Sequence, residues 1–427
     1  MKAYLTSLGC KLNQSEVEAW ARRLASAGWE VVRHATDAEL CVVNTCTVTH
    51  VAARKSRNLV RRCAKTNPNA QVVVTGCHAE IDADELARLP GVSLVLGSAA
   101  KDHLVDELAA RLALPVLAGQ GHAPQAPSLR TRALVKIQDG CDNGCTYCVV
   151  RLARGAQRSR PMADILQEIR ERQDEGFQEI VLTGVHIGAY GRERSETLAG
   201  LLDVLLAQTR VPRIRLSSIE PWDISRDLLR LWANPRVCRH MHLPLQSGCD
   251  GTLKRMGRRY TTAQYRDLVA NARAAVADLA VTTDVIVGFP GEDEREFHVS
   301  AAFVASQGFA RVHVFPFSPR PGTDASCMPD QVSPQVQARR AARVRRIAQV
   351  SAHEFLSRFL GTTLDVLWEA QDGTEWSGLT DNYIRVHASS GRSLRNQIIP
   401  ARLLEVSASA VRGELVPTVG CKIGRGI

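Results

Sequence analysis

The stretch Gly140-Cys141-Asp142-Asn143-Gly144-Cys145-Thr146-Tyr147-Cys148 contains three cysteines in a C-x3-C-x2-C spacing. It follows an apolar run over residues 133–138, typical of a strand, and a glycine-containing loop at a strand end can turn three thiols toward one point. A tetrahedral zinc site needs a fourth ligand, but the next cysteine or histidine along the chain is His186. A four-iron cluster fits three thiolates better, because its fourth iron then stays open for another ligand. Buried or disulfide-bonded cysteines are the alternative interpretation.

Composition narrows the class of protein. The chain has 427 residues, which predicts about two to three domains. Its net charge of +10 suits a polyanionic partner such as RNA, whereas 5% aromatic residues do not favour a broad platform for stacking bases. No stretch of about 20 residues is apolar enough to span a membrane, and residues 1–9 indicate a first strand rather than a signal peptide. We therefore expect a cytoplasmic protein whose twelve cysteines are reduced and serve metal binding or catalysis.

Residues 1–118 alternate short apolar runs with amphipathic segments, which predicts an N-terminal parallel α/β domain. A cysteine closes each of its first three strands, at Cys10, Cys46 and Cys77. Because parallel strands end at one edge of a sheet, these thiols should converge there. One such cysteine is more often a core residue, but three in the same register predict a second cluster. The predicted strands span 2–8, 40–44, 71–75 and 92–96, and the predicted helices span 15–27, 51–63 and 82–88.

Residues 130–360 show six further strand–helix units, which predict a partial, open (β/α)6 barrel with its chemistry at the carboxyl ends of the strands. Gly184 follows the second of these strands and would let a cofactor approach the backbone. Glu220 follows the third and could accept hydrogen bonds from ribose hydroxyls. Either residue alone is more often structural, so the prediction rests on their serial arrangement behind the cysteine loop. The predicted strands span 133–138, 179–183, 213–217, 240–245, 281–287 and 311–315.

Two sets of basic residues have two equally weighted interpretations, as RNA-facing surfaces or as solvated loops and helix faces. The first set lies on the helix predicted after Cys46, and the second follows the cysteine loop and the fourth barrel strand. The members of the first set are Arg54, Lys55, Arg57, Arg61, Arg62 and Lys65, and those of the second are Arg151, Arg154, Arg158, Arg160, Lys254, Arg255, Arg258 and Arg259.

The sequence pattern changes in the linkers and in the last part of the chain. Glycine, proline and alanine over residues 119–128 indicate a linker, and a basic segment over 339–346 indicates a surface helix that leads to the last domain. Residues 361–427 show short alternating runs with glycine and Asp/Asn breaks, which predict a small C-terminal β-barrel with strands over 364–368, 376–379, 383–386 and 398–406. Such a module could bind RNA or act as a structural cap.

Over nearly its whole length the chain resembles the methylthiotransferases of the radical S-adenosylmethionine superfamily. The matching stretches are Leu8-Gly-Cys10-Lys-Leu-Asn13-Gln-Ser-Glu16, Asn44-Thr-Cys46, Thr75-Gly-Cys77, the cysteine loop with Ala153-Arg154-Gly155, and His242-Leu-Pro-Leu-Gln-Ser-Gly248. The Gly-Cys-Lys-Leu-Asn start and Leu182-Thr-Gly-Val185 look most like the bacterial branch acting on threonylcarbamoyladenosine in tRNA. Sister branches act on isopentenyladenosine or on a ribosomal-protein aspartate. Arg151 departs from the family pattern, which usually has proline there, and it could alter the path of the loop.

This resemblance implies two 4Fe–4S clusters and S-adenosylmethionine as cofactors. Cys141, Cys145 and Cys148 would hold the cluster that cleaves S-adenosylmethionine, and Cys10, Cys46 and Cys77 the auxiliary cluster that supplies sulfur. Tyr147, Gly184, Glu220 and Ile286 would line the cofactor pocket, and the C-terminal barrel would be a TRAM-like RNA-binding module. The implied partners are the tRNA anticodon stem-loop and an electron donor, without a membrane. A non-catalytic RNA-binding protein with a structural metal site is the rival from another class, and the sequence predicts no oligomeric state.

Overall fold

The computed structural model of the chain describes residues 1–112 and 130–416. Its first unit is a five-stranded sheet in the order β2-β1-β3-β4-β5, in which every neighbouring pair is parallel. Alternate residues of the central strands enter two separate apolar clusters, so both faces of the sheet are buried. The strands are β1 (Lys2–Ser7), β2 (Glu30–Val31), β3 (Leu40–Thr45), β4 (Gln71–Gly76) and β5 (Val92–Leu96).

The three predicted helices of this unit are present, and two further helices were not predicted. One of these begins at Cys77, directly after β4, and a break at Asp82 separates it from the helix over 83–87, which matches the predicted one over 82–88. The other is the last helix of the unit, over 104–112. The predicted linker over 119–128 lies outside the described residues. The helices are α1 (Lys11–Ser26), α2 (His50–Thr66), α3 (Cys77–Ile81), α4 (Ala83–Ala87) and α5 (Leu104–Leu112), with 3₁₀ turns at Ala35–Asp37 and Ser98–His103.

The second unit is a half-open barrel of parallel strands. Two three-stranded sheets, β10-β9-β6 and β11-β12-β13, are joined by isolated bridges from Ile214 to Val237 and from Ser218 to His242. Helix α1 of the first unit packs against the edge strand β6. We call the space enclosed by these strands the lumen. The strands are β6 (Arg132–Lys136), β7 (Gln138–Asp139), β8 (Arg158–Ser159), β9 (Glu179–Thr183), β10 (Arg213–Leu216), β11 (His240–His242), β12 (Ala280–Val287) and β13 (Arg311–Pro316), of which β7 and β8 form a separate antiparallel pair.

Helices cover the outside of this barrel and bury one large apolar cluster against its strands. The predicted surface helix over 339–346 lies within α13, but its Arg340 is buried and binds Glu292 at 3.0 Å. None of the described helices is both long enough and apolar enough to cross a bilayer. The helices are α6 (Val150–Arg154), α7 (Met162–Asp174), α8 (Leu198–Gln208), α9 (Arg226–Leu229), α10 (Asp250–Arg255), α11 (Thr262–Ala275), α12 (Glu294–Ser306) and α13 (Pro334–Ser357).

The third unit is a closed five-stranded barrel in the order β14-β15-β16-β18-β17. The predicted α/β fold, with an N-terminal parallel sheet, a partial barrel and a C-terminal β-barrel, is thereby confirmed. The last strand of the C-terminal barrel was not predicted. Tyr383, which was predicted to begin the third strand, lies in the turn before that strand, with φ +69°. The strands are β14 (Thr363–Asp372), β15 (Glu375–Thr380), β16 (Arg385–Ser389), β17 (Ile398–Ser407) and β18 (Ala410–Leu415).

The C-terminal barrel docks onto the amino ends of the central strands. The fully buried Arg215 of β10 donates hydrogen bonds to the carbonyl oxygens of Thr380, at 3.1 Å, and Asp381, at 2.9 Å. Tyr383 stacks on His240, the first residue of β11, with ring centroids 4.3 Å apart. These contacts close the lumen at the end opposite to the carboxyl ends of its strands.

Candidate functional site

Three cysteines of the first unit meet at one edge of its sheet. They follow β1, β3 and β4, and burial raises the pKa of Cys46 to about 12, with smaller contributions from the neighbouring thiols. Gly9 has φ +108°, and a Cβ there would lie 2.8 Å from the Cys46 sulfur, so a glycine is required for the thiol to lie against the backbone. We call this set the first triad: Cys10, Cys46 and Cys77.

The loop after β7 carries the second triad: Cys141, Cys145 and Cys148. Gly140 starts this loop with φ +69°, and a Cβ on it would lie 1.9 Å from the carbonyl oxygen of Ala156, so no other residue fits. Thr146 anchors the middle of the loop, because its backbone N–H donates to the Met256 carbonyl at 3.2 Å and its hydroxyl donates to the Arg255 carbonyl at 2.8 Å. The loop is therefore held by the opposite half of the barrel as well as by its own strand.

The spacing and chemistry of the thiols fit multi-iron clusters. All eleven cysteines within residues 1–112 and 130–416 are free, which argues against the disulfide interpretation. In the same ranges, only two groups bring ligand atoms within 4.8 Å of one another, as one tetrahedral ion would require, and neither contains a cysteine. Each triad therefore offers three thiols spread more widely than a single zinc ion allows. The two convergent groups are His242 with Asp284 and His313, and His78 with Asp82 and Glu85.

One arginine joins the two triads. Arg154 lies at the end of α6, six residues after Cys148, and its side chain is almost fully buried. Its guanidinium donates to Asn13 at 2.6 Å, to Glu16 at 2.8 Å and to Asp139 at 2.9 Å. Asn13 in turn donates to the carbonyl of Thr45, next to Cys46, at 3.0 Å. The loops of the two triads are thus parts of one hydrogen-bonded junction.

Charge is balanced within this junction. Burial alone would raise the pKa of Glu16, but the cations Lys101 and Arg154 outweigh it and hold that pKa well below its usual range. Burial likewise opposes the ionisation of Asp139, but Arg154 and Lys136 lower its pKa to about 2. Both carboxyl groups are therefore ionised at neutral pH, and Arg154 is neutralised rather than free to bind phosphate.

Two of the predicted cofactor-binding residues pack together. Tyr147 and Ile286 lie against one small apolar cluster, in which the ring of Tyr147 meets Phe289 edge to face at 6.4 Å. A third, Glu220, is bound by Arg258, whose Nη1 also lies 3.4 Å from the Cys145 sulfur and 3.3 Å from Glu220 Oε1. Arg258 therefore connects the second triad to the carboxylate that was predicted to bind a ribose.

The fourth predicted residue, Gly184, has a packing reason to be glycine. A Cβ at this position would lie 2.8 Å from the carbonyl oxygen of Gln138 and 3.0 Å from its side-chain oxygen. Gln138 then accepts a hydrogen bond from the backbone of His186 at 2.7 Å. Close approach of the protein's own chain, rather than of a ligand, occupies this side of the glycine.

Sequence reasoning gave no role to His186, although it is buried beside the second triad. Its Nε2 lies 2.5 Å from Asp223, and its Nδ1 lies 3.3 Å from the side-chain amide of Asn143. Burial would lower the pKa of His186, but hydrogen bonds to Asp223 and to Cys141 outweigh it and raise the pKa to about 9. Its position next to a predicted strand end was the only sequence signal, and that signal is shared by many structural residues.

Neither interpretation of the second basic set holds for Arg154 and Arg258, which are buried and paired with carboxylates. Arg158 binds Asp139 at 3.1 Å, so it is also part of the junction. Three residues of that set remain exposed, namely Arg151, Lys254 and Arg259. On α2 the exposed basic residues are Arg54, Lys55, Arg61, Arg62 and Lys65, whereas Arg57 is half-buried and binds Glu85 at 3.4 Å.

Known proteins are similar to this chain over nearly its full length. The model described as uncharacterized protein family UPF0004 matches residues 2–97, and the model of the radical SAM superfamily matches residues 135–304. The threonylcarbamoyladenosine tRNA methylthiotransferases MtaB of Bacillus subtilis and Thermotoga maritima are 35% and 37% identical, covering 97% and 89% of this chain and 96% and 90% of their own. A tRNA-2-methylthio-N(6)-dimethylallyladenosine synthase of Geobacillus thermodenitrificans is 31% identical, covering 97% of this chain and 83% of its own.

Among solved structures, the radical S-adenosylmethionine methyltransferase TsrM of Kitasatospora setae, with cobalamin and a [4Fe-4S] cluster bound, has a TM-score of 0.55. It covers 76% of this chain and 77% of its own at 15% identity, so this likeness concerns the fold alone. The matches to the methylthiotransferases cover nearly the whole chain at more than 30% identity and decide the family. The chain belongs to the radical S-adenosylmethionine methylthiotransferases, whose cofactors are two 4Fe–4S clusters and S-adenosylmethionine.

Proposed function

We propose that this protein is a tRNA methylthiotransferase that places a sulfur atom and a methyl group on C2 of threonylcarbamoyladenosine beside the anticodon. The observation that carries the proposal is the junction through Arg154, which holds two cysteine triads against each other. An enzyme that activates a carbon and delivers sulfur to it needs both centres at one substrate position. The relatives with 35% and 37% identity are threonylcarbamoyladenosine tRNA methylthiotransferases, which supports tRNA as the substrate.

The six thiols have two roles in this proposal. The second triad holds the cluster that binds and cleaves S-adenosylmethionine, and the first triad holds the auxiliary cluster. Once bound, these groups supply the radical, the sulfur and the methyl group, while the protein orients them and keeps water out. Residues 1–118 form the auxiliary-cluster domain, residues 130–360 the radical domain and residues 361–427 an RNA-binding module.

Four residues of the radical domain would contact S-adenosylmethionine. Tyr147 and Ile286 offer apolar surface for the adenine, and the apolar cluster behind them limits access of water. Glu220 would accept hydrogen bonds from the ribose, and Arg258 orients its carboxylate for this role. Gly184 would offer its backbone to the cofactor, because its packing against Gln138 leaves no room for a side chain.

The target base has to leave the stack of the anticodon loop to reach the triads. Exposed cations near the first triad, on α2, and on the C-terminal barrel would hold the flanking phosphates. On the barrel these are Arg392, Arg402 and Arg412. An external electron donor is needed, because cleavage of S-adenosylmethionine consumes an electron that the thiols and carboxylates of the site do not supply.

Anaerobic reconstitution tests this proposal. The protein should bind about eight irons per chain, and replacing the first triad with serine should lower this to about four. With S-adenosylmethionine, a reductant and tRNA carrying threonylcarbamoyladenosine, mass spectrometry should detect the methylthio nucleoside and deoxyadenosine. Cys327→Ser, which changes an exposed cysteine outside both triads, is the matched control and should retain iron and product.

Three results would contradict the proposal in different ways. A methylthio group on dimethylallyladenosine alone would shift the substrate to the sister branch. A methylthio group on a ribosomal-protein aspartate alone would exclude tRNA as the substrate. Intact S-adenosylmethionine with no deoxyadenosine would favour a non-catalytic RNA-binding protein.

A further inference from the structure

One lysine reaches the lumen from the first triad. Lys11 is the first residue of α1 and directly follows Cys10. Its ammonium lies 6.0 Å from the centre of the Tyr383 ring. That ring stacks on His240, of the β11-β12-β13 sheet, and lies 5.0 Å from the guanidinium of Arg215, on the β10-β9-β6 sheet. Lys11 lies beside a ring that contacts both halves of the barrel. Lys11 therefore extends from the expected sulfur source into the space where the substrate base has to enter.

This ammonium has no anionic partner of its own. Throughout the described ranges, no hydrogen bond or ion pair engages Lys11, and its contact is a cation–π interaction with the Tyr383 ring at 6.0 Å. The other cations around it are paired: Arg132 binds Glu369 at 2.6 Å, and Arg215 binds Glu179 at 2.7 Å. A partly buried, unpaired ammonium is unfavourable, so this position favours a ligand that brings a negative charge.

The pKa of Tyr383 reflects the same excess of positive charge. Burial would raise the pKa of this phenol, but the neighbouring cations Lys11, Arg132 and Arg215 outweigh burial and lower it. Because Tyr383 also closes the amino end of the lumen, the positive charge lies at the bottom of a closed space. A substituent of the base could approach this charge from inside the lumen, whereas the phosphates of the RNA backbone would remain at the mouth.

We propose that Lys11 binds the carboxylate of the threonylcarbamoyl group and so selects this nucleoside over one with an uncharged substituent. The inference rests on the proposed function and adds a specificity-determining residue to it. A dimethylallyl group is a hydrocarbon and would leave the ammonium unpaired, whereas the threonine part of a threonylcarbamoyl group ends in a carboxylate. Because Lys11 adjoins Cys10, binding the carboxylate would also fix the base relative to the sulfur source.

Binding of anticodon stem-loops measures this directly. The reconstituted protein should bind a stem-loop with threonylcarbamoyladenosine about tenfold more tightly than one whose carboxylate is converted to a carboxamide, as expected for a charge-assisted contact. Lys11→Met should bind both RNAs equally, at the weaker affinity, and Lys11→Arg should keep most of the preference. Lys2→Met, on the half-exposed start of β1, is the matched control and should keep all of it. Iron content is measured in each variant, because Lys11 adjoins a cluster ligand.

Several results would overturn the inference. Equal binding of the two RNAs by the wild-type protein would overturn it. This test needs no variant, so it remains decisive even if Lys11→Met fails to retain its iron. A full preference in Lys11→Met would overturn it as well. Turnover by the wild-type protein separates this inference from the proposed function. A methylthio product formed without a carboxylate preference contradicts only the role of Lys11, and the lack of any tRNA product contradicts the proposed function.

Discussion

Replacing Arg154 with methionine should loosen the junction between the triads while leaving each unit folded. Removing one member of a buried ion pair costs about 3–5 kcal/mol, because the remaining charge is left uncompensated. Here Glu16 would keep Lys101 at 2.9 Å and Asp139 would keep Lys136 at 2.9 Å. Because these cations remain, the expected loss of stability is at the lower end of that range, about 3 kcal/mol. Methionine retains most of the apolar volume, so the change concerns charge rather than packing.

Hydrogen exchange under anaerobic conditions measures this cost locally. A loss of about 3 kcal/mol corresponds to exchange faster on the order of 100-fold for amides that exchange through opening of the junction. The effect should be confined to residues 10–16 and 139–155. Arg151→Met is the matched control, because this arginine lies on the same short helix and is exposed.

The reasoning would be refuted by equal exchange in Arg154→Met and Arg151→Met. It would also be refuted by faster exchange throughout the chain, because that result would mean that Arg154 stabilises the whole fold rather than the junction. Iron content in the same samples shows whether a looser junction releases a cluster.

Three further predictions follow from the geometry. Gly140→Ala should lower the iron content of reconstituted protein from about eight to about four per chain, because its Cβ would lie 1.9 Å from a carbonyl oxygen, whereas Gly144→Ala meets nothing within 4 Å and should bind the full amount. Arg215→Met should destabilise the docking of the C-terminal barrel by about 3 kcal/mol and make the segment before the barrel susceptible to limited proteolysis. Arg412→Met changes an exposed arginine and should leave this susceptibility unchanged. The pKa of Asp139, about 2 in the folded protein, is below its unfolded value of about 3.9, so its stabilisation is present above pH 4 and lost as the pH falls toward 2. The melting temperature of the cluster-free protein should therefore fall less steeply between about pH 5 and pH 2 in Asp139→Asn than in the wild type, and parallel slopes would contradict this.

The positions of the triads could be predicted because they depend on local pattern. Each of Cys10, Cys46 and Cys77 follows an apolar run of strand length, and the edge at which parallel strands end is fixed by their direction. The second triad is within one loop, so its spacing alone brings the thiols together. Strand bounds followed from apolar runs with turn residues after them, to within a few residues.

The partners of the arginines could not be predicted in this way. Arg154 and Glu16 are 138 positions apart, and a guanidinium carries the same sequence signature whether it is solvated or buried against a carboxylate. Arg258 was expected either on an RNA-facing surface or in a solvated loop, but tertiary packing buries it beside Glu220. Lys11 was read only as part of a family signature, because its position in the lumen depends on how α1 packs against β6.

The stacking of Tyr383 on His240 changes how a shortened chain should be interpreted. Deleting the C-terminal barrel removes the proposed RNA-binding surface, but it also removes the residues that close the amino end of the lumen and so admits water beneath the substrate. An inactive truncation would therefore not by itself assign RNA binding to the barrel. A variant that keeps the turn around Tyr383 and changes only the exposed arginines of the barrel would separate RNA binding from closure of the lumen.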